Sequence, residues 1–115
     1  MIARLVPPIA FLVALTACAA EHRSAPAVGP FAPRNAEEAR GERVFFVFCH
    51  QCHPGGAAGL GPPLNDKPLP EFAMRTQIRA GVGAMPAFSE REIPDNDADA
   101  VVAYIVALRE HGASE

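Results

Sequence analysis

The sequence predicts an all-α domain of three main helices joined by long loops. Three observations carry that expectation. Apolar side chains recur at helical spacing near the carboxyl end, helix-start residues precede two earlier segments, and the stretch between those segments is too dense in proline and glycine for regular structure. A chain of 115 residues has room for one core once a targeting segment is set aside, and for no second one.

The first helix begins after Asn35, a good capping residue. Glu37 and Glu38 add negative charge in the opening turn, and Asn35 with Glu38 has the spacing of a capping box. The helix runs towards Cys49. Val44 to Phe48 is a continuous apolar run that marks burial on more than one side; pattern alone leaves a short strand open there, while caps and charges favour helix. Pro54 to Pro70 wraps as a loop. Pro70 suits the first turn of a second helix, which carries Phe72, Met74 and Ile78 until Gly81 ends it, and Gly81 to Pro86 is a further loop. The third helix has the strongest signal. Asp95, Asn96 and Asp97 supply caps and charge at its start, Val101, Tyr104, Ile105 and Leu108 form one face that Val102 and Val106 widen, and Gly112 follows Arg109 and His111 at its end.

Residues 1–17 read as a secretory signal, with Arg4 ahead of an apolar stretch from Leu5 to Ala17. Pro7 and Pro8 interrupt that stretch, and it falls short of the roughly 20 apolar residues of a membrane span. Leu15-Thr16-Ala17-Cys18 resembles the bacterial lipobox, which implies cleavage before Cys18 and lipidation of that cysteine. An ordinary signal peptide or an uncleaved anchor are the alternatives, and all three export the domain. Residues 18–34 then form a proline- and alanine-rich tether and residues 35–115 the folded domain. The location expected is the periplasm-facing side of a membrane, held by the lipid on Cys18, with a soluble periplasmic protein as the alternative.

A net charge of −3 without a Lys/Arg cluster lacks the attraction that nucleic-acid binding needs, so no nucleic acid is expected as a partner. Cys49-His50-Gln51-Cys52-His53 is the C-x-x-C-H arrangement that attaches haem covalently. Two thiols at this spacing reach the two vinyl groups of one porphyrin, and the histidine that follows is brought beneath the iron. Two other chemistries compete. A dithiol redox pair wants an α/β setting with the cysteines at a helix start, and a zinc site wants a second pair of ligands well separated in sequence. Neither context is present.

From about Asn35 to His111 the sequence resembles class I cytochrome c. Gly41, Phe45 and Cys49 reproduce that family's four-residue spacing on the first helix, and Tyr104 stands at the aromatic position of the last. The resemblance implies a small cytochrome c fold, three main helices with long loops wrapped around one covalently attached haem c. It implies thioether bonds through Cys49 and Cys52 and iron ligation by His53. Gly61-Pro62-Pro63-Leu64 is similar to the loop whose proline carbonyl accepts the proximal histidine proton, which implies Pro62 as acceptor and Leu64 against the porphyrin. A Met-Pro pair supplies the distal thioether in the family, so Met85 is the implied sixth ligand. No tryptophan is present to bond a haem propionate, and Arg79 is a weak substitute.

With protein ligands on both sides of the iron, the function implied is single-electron transfer between redox proteins, with no catalytic residue. Two alternatives are a fixed cytochrome subunit of a larger oxidoreductase and a haem enzyme or sensor with an open sixth position. Glu90, Glu92, Asp95, Asp97 and Asp99 cluster near the start of the last helix, and Lys67, Arg75 and Arg79 precede them. They read as solvated faces and helix-end charges, with a docking surface as the sharper possibility.

Overall fold

Asn35 caps the first helix as its position predicts. In the computed structural model, which describes residues 31–113, α1 spans Ala36–Phe48 and the Asn35 side chain accepts the Glu38 N–H at 2.9 Å. The return half of the capping box is altered. Glu38 accepts from the backbone N–H of Arg34 at 2.7 Å and from the Asn35 side-chain amide at 3.1 Å, so the carboxylate ties down the approach to the helix. The expected signal peptide and Cys18 lie outside the described residues. Phe31, within the stretch expected as tether, packs edge-on against Tyr104 and His111 at 5.6 and 5.7 Å between ring centres.

α2 spans Glu71–Ala80 and α3 Asp95–Ala113. Pro70 caps α2 from one position outside the helix rather than occupying its first turn. Pro94 accepts the first α3 bonds, from Asp97 and Ala98 N–H, so Asp95 and Asp97 sit inside the first turn, where carboxylates favour the positive end of the helix. Gly112 does not end α3, which continues to Ala113. Pro54–Gly56 forms a single 3-10 turn within the long loop. Among the described residues no strand forms; a single bridge pairs Val82 with Met85.

α1 packs across α3 at Gly41. A Cβ there would lie 1.9 Å from the Ala100 carbonyl oxygen, so glycine is what permits the backbones to approach this closely. Phe45 is fully buried beside the crossing, with its ring 5.2 Å from that of Tyr104. The expected face of α3, Val101, Tyr104, Ile105 and Leu108, is buried and joins Phe45, Met74, Ile78, Ile93 and Val102 in one core. Phe72 is the exception on α2, being 72% exposed. Three ion pairs fasten the charged start of α3: Arg40 with Asp97, Arg75 with Asp99 at 2.7 Å and Arg79 with Asp95 at 2.6 Å. Three of the five acids in the cluster, Asp95, Asp97 and Asp99, are thus paired within the chain.

Candidate functional site

The motif begins where α1 stops. Cys49 and His50 N–H both reach back to the Phe45 carbonyl, and Cys52 and His53 N–H then bond the Cys49 carbonyl at 3.1 and 2.9 Å. One extra turn beyond the helix thereby groups Cys49, Cys52 and His53. Both thiols are free and half-buried. Burial pushes the Cys49 thiol up to about 12, and the neighbouring Cys52 adds to the rise. A dithiol nucleophile needs the opposite shift at its attacking thiol, so Cys49 is poorly suited to that role. Nor do three or more His, Cys, Asp or Glu side chains converge anywhere among the described residues, as a zinc site would require.

His53 is buried, and its Nδ1 lies 2.8 Å from the Pro62 carbonyl oxygen. A carbonyl can only accept, so Nδ1 carries the proton and donates it; Nε2 then holds the free lone pair of the neutral ring. Backbone bonds brace this arrangement. Gly61 N–H donates to the Cys52 carbonyl at 2.9 Å, and Leu64 and Asn65 N–H both donate to the Gly56 carbonyl, at 2.7 and 3.1 Å. Leu64 is half-buried and packs against the core.

Two contributors carry little signal at the level of residue type. Gly61 lies flat on the imidazole, where a Cβ would come within 2.3 Å of Cε1 and 2.8 Å of both ring nitrogens. Gly59 is similarly forced, with a Cβ 2.6 Å from the Pro54 ring and 2.8 Å from the Cys52 carbonyl. Their position within the Gly-Pro loop was legible; the close approach of Gly61 to His53 and of Gly59 to Pro54 and Cys52 was not.

Met85 sits in a separate, tightly made turn. Val82 and Met85 exchange both backbone bonds, at 3.1 and 2.9 Å, across Gly83 and Ala84. Gly83 has φ +56° while Ala84 has no positive φ, the pattern of a type II′ turn. Gly81 also has positive φ, and a Cβ there would meet the Met85 carbonyl oxygen at 2.6 Å. The segment after Met85 is carried back to the motif end of α1 by Phe88. Its N–H donates to the Ile78 carbonyl at 2.9 Å, and its ring packs against Phe48, the residue before Cys49, at 5.7 Å. Arg79 fastens the same segment through the carbonyls of Phe88 and Ile93 and the Asp95 carboxylate. These contacts commit the guanidinium to the chain itself.

Fold and site together define a small helical domain built to attach haem through a C-x-x-C-H turn. The family model for cytochrome c oxidase, cbb3-type, subunit III matches residues 36–105. Cytochrome c6 of Gloeothece citriformis is 38% identical over 80 residues, covering 63% of this chain and 72% of that protein. Cytochrome c6 of Bryopsis maxima is 39% identical over 75 residues, 56% of this chain and 84% of its own. The cytochrome c subunit of 4-cresol dehydrogenase (hydroxylating) from Pseudomonas putida is 32% identical over 68 residues, 59% of each chain. No solved structure matches. The chain belongs to the cytochrome c family, as a monohaem domain of class I. It carries one covalently attached haem c and passes single electrons between redox proteins, without catalysing a reaction of its own.

Proposed function

We propose that this cytochrome holds its iron between His53 and Met85, with the porphyrin bound through Cys49 and Cys52, and that it works from the periplasm-facing side of a membrane to which lipidated Cys18 tethers it. The observation that carries the ligand assignment is the 2.8 Å bond from His53 Nδ1 to the Pro62 carbonyl. It leaves the Nε2 lone pair for iron, and a carbonyl acceptor on the opposite nitrogen makes that lone pair a stronger donor. The donor set fits haem: two free thiols and an oriented imidazole within one turn, with Leu64 half-buried beside them. When bound, the haem supplies a one-electron couple whose potential a thioether ligand raises.

Everything else is the work of the chain. Gly61 and Pro62 hold the imidazole orientation, and the Val82–Met85 turn places Met85 on a backbone braced by Gly81 and Gly83. Met74 does not compete for the distal place. It is buried, and its sulfur accepts from Arg109 at 3.5 Å. A haem held by His53 and Met85 would supply its one-electron couple with both iron ligands drawn from the protein, which suits a carrier better than a haem enzyme or sensor.

The visible spectrum tests this. Ferric protein should show the weak sulfur-to-iron charge-transfer band, and Met85→Ala should abolish it and bind cyanide promptly. A wild-type spectrum without that band sinks the Met85 assignment. For the anchor, Cys18→Ala should release the cytochrome from membranes; retention there would remove the lipoprotein reading.

A further inference from the structure

Arg109 does more than its sequence position suggests. In sequence it is a basic charge in the final turns of α3, where cations complement the helix dipole. In the structure it turns away from that role and holds the loop that closes over His53. Nε donates to the Leu64 carbonyl at 2.7 Å, Nη1 to the Leu69 carbonyl at 2.9 Å, and Nη2 to the Met74 sulfur at 3.5 Å. The guanidinium is half-buried, and burial lowers its proton affinity against the opposing pull of Asp66. A partly desolvated cation bonded to neutral carbonyls and a thioether, rather than to a carboxylate, gives up hydration for no opposite charge.

What it secures is the strap from Gly61 to Leu69. On the motif side, the strap is held by Gly61 N–H on Cys52, Leu64 N–H on Gly56 and His53 on Pro62. On the α3 side, Arg109 takes the carbonyls at Leu64 and Leu69. The Leu64 residue is therefore gripped by its N–H from one direction and by its carbonyl from the other, two residues beyond the acceptor for His53.

We propose that Arg109 is a positioning residue of the haem site: by fixing the strap from α3 it keeps the Pro62 carbonyl on His53 Nδ1, and so sets the donor strength of the ligand and the reduction potential. The proposal rests on the reading of His53 as the proximal ligand. Without Arg109 the strap keeps its bonds to the motif but loses its outer support, and the Nδ1–H···O bond opens more often.

The test uses holoprotein carrying Arg109→Met, Arg109→Lys or the control Glu110→Gln, which weakens the exposed Arg34–Glu110 pair on the same helix. Exchange of the His53 Nδ1 proton is followed by NMR in the reduced state, and the reduction potential by titration. Arg109→Met should speed exchange about tenfold and raise the potential, while Glu110→Gln changes neither. Arg109→Lys, with one ammonium for two carbonyls, should fall between; it carries the test if the methionine variant does not fold. Wild-type exchange and potential in the Arg109 variants, even with a lower unfolding temperature, overturn the proposal alone. A wild-type His53 ring proton that does not shift on iron oxidation overturns the ligand assignment and, with it, the proposal.

Discussion

Gly61→Ala is the sharpest probe of the proposed haem ligand His53. The added Cβ would sit 2.3 Å from His53 Cε1 and 2.8 Å from both nitrogens, where ordinary contact begins near 3.4 Å. The loop or the ring must therefore give way by about 1.1 Å. The ring has little freedom, since the cysteines on its own turn are tied to the porphyrin, so the loop retreats. Moving away by that amount stretches Nδ1···O from 2.8 Å to about 3.9 Å, past the limit of a hydrogen bond. The part-buried bond contributes about 1 kcal/mol, and the overpacked loop adds about 1 to 3 kcal/mol of strain. If about 1.4 kcal/mol of that falls differentially on the ferric state, the potential rises by roughly 59 mV, because a less polarised imidazole stabilises ferric iron less well. Spectroelectrochemical titration beside thermal unfolding separates the two effects. A destabilised protein with an unchanged potential would refute the reasoning, since the clash would then have been relieved without disturbing the His53–Pro62 bond.

Other outcomes follow from the same geometry. Gly41→Ala drives a Cβ to 1.9 Å from a backbone oxygen of α3 that cannot swing aside, and should cost about 3 kcal/mol, lowering the unfolding temperature by well over about 10 °C; a shift below about 4 °C would mean that the crossing is loose. Asn35→Ala removes the α1 cap and should cost about 1 kcal/mol in denaturant unfolding of the holoprotein, with its visible spectrum unchanged. Glu38 is held below its ordinary 4.5 by bonds from the Arg34 guanidinium and backbone N–H. Because the folded value is the lower one, its stabilisation is complete above that ordinary value and is lost as pH falls through the depressed one. Glu38→Gln should therefore flatten the acid limb of the stability profile below about pH 4.5; an unchanged acid limb would show that other carboxylates govern it.

The helices and the haem-binding turn were legible because their signals are local. Asn35, the period of Val101 to Leu108 and the C-x-x-C-H spacing each act within a few residues, and backbone geometry alone gives them structural meaning. Helix ends were less legible. Gly112 at the end of α3 and Pro70 at the start of α2 are displaced from their expected places because these cap preferences are weak beside continued packing and backbone bonding. The acidic cluster at the α3 start was visible as charge but not as three ion pairs, since their arginines come from α1 and α2.

Sequence by itself determined the haem chemistry, the three helices and the face of α3 that is buried, because spacing along one segment encodes them. Tertiary structure decided which nitrogen of His53 is left for a ligand, why Gly61 must lack a side chain, and that Arg109 reaches back to the strap at Leu64 and Leu69. Those features depend on atoms brought within a few ångströms from positions up to 45 residues apart, a relation that residue identity does not record.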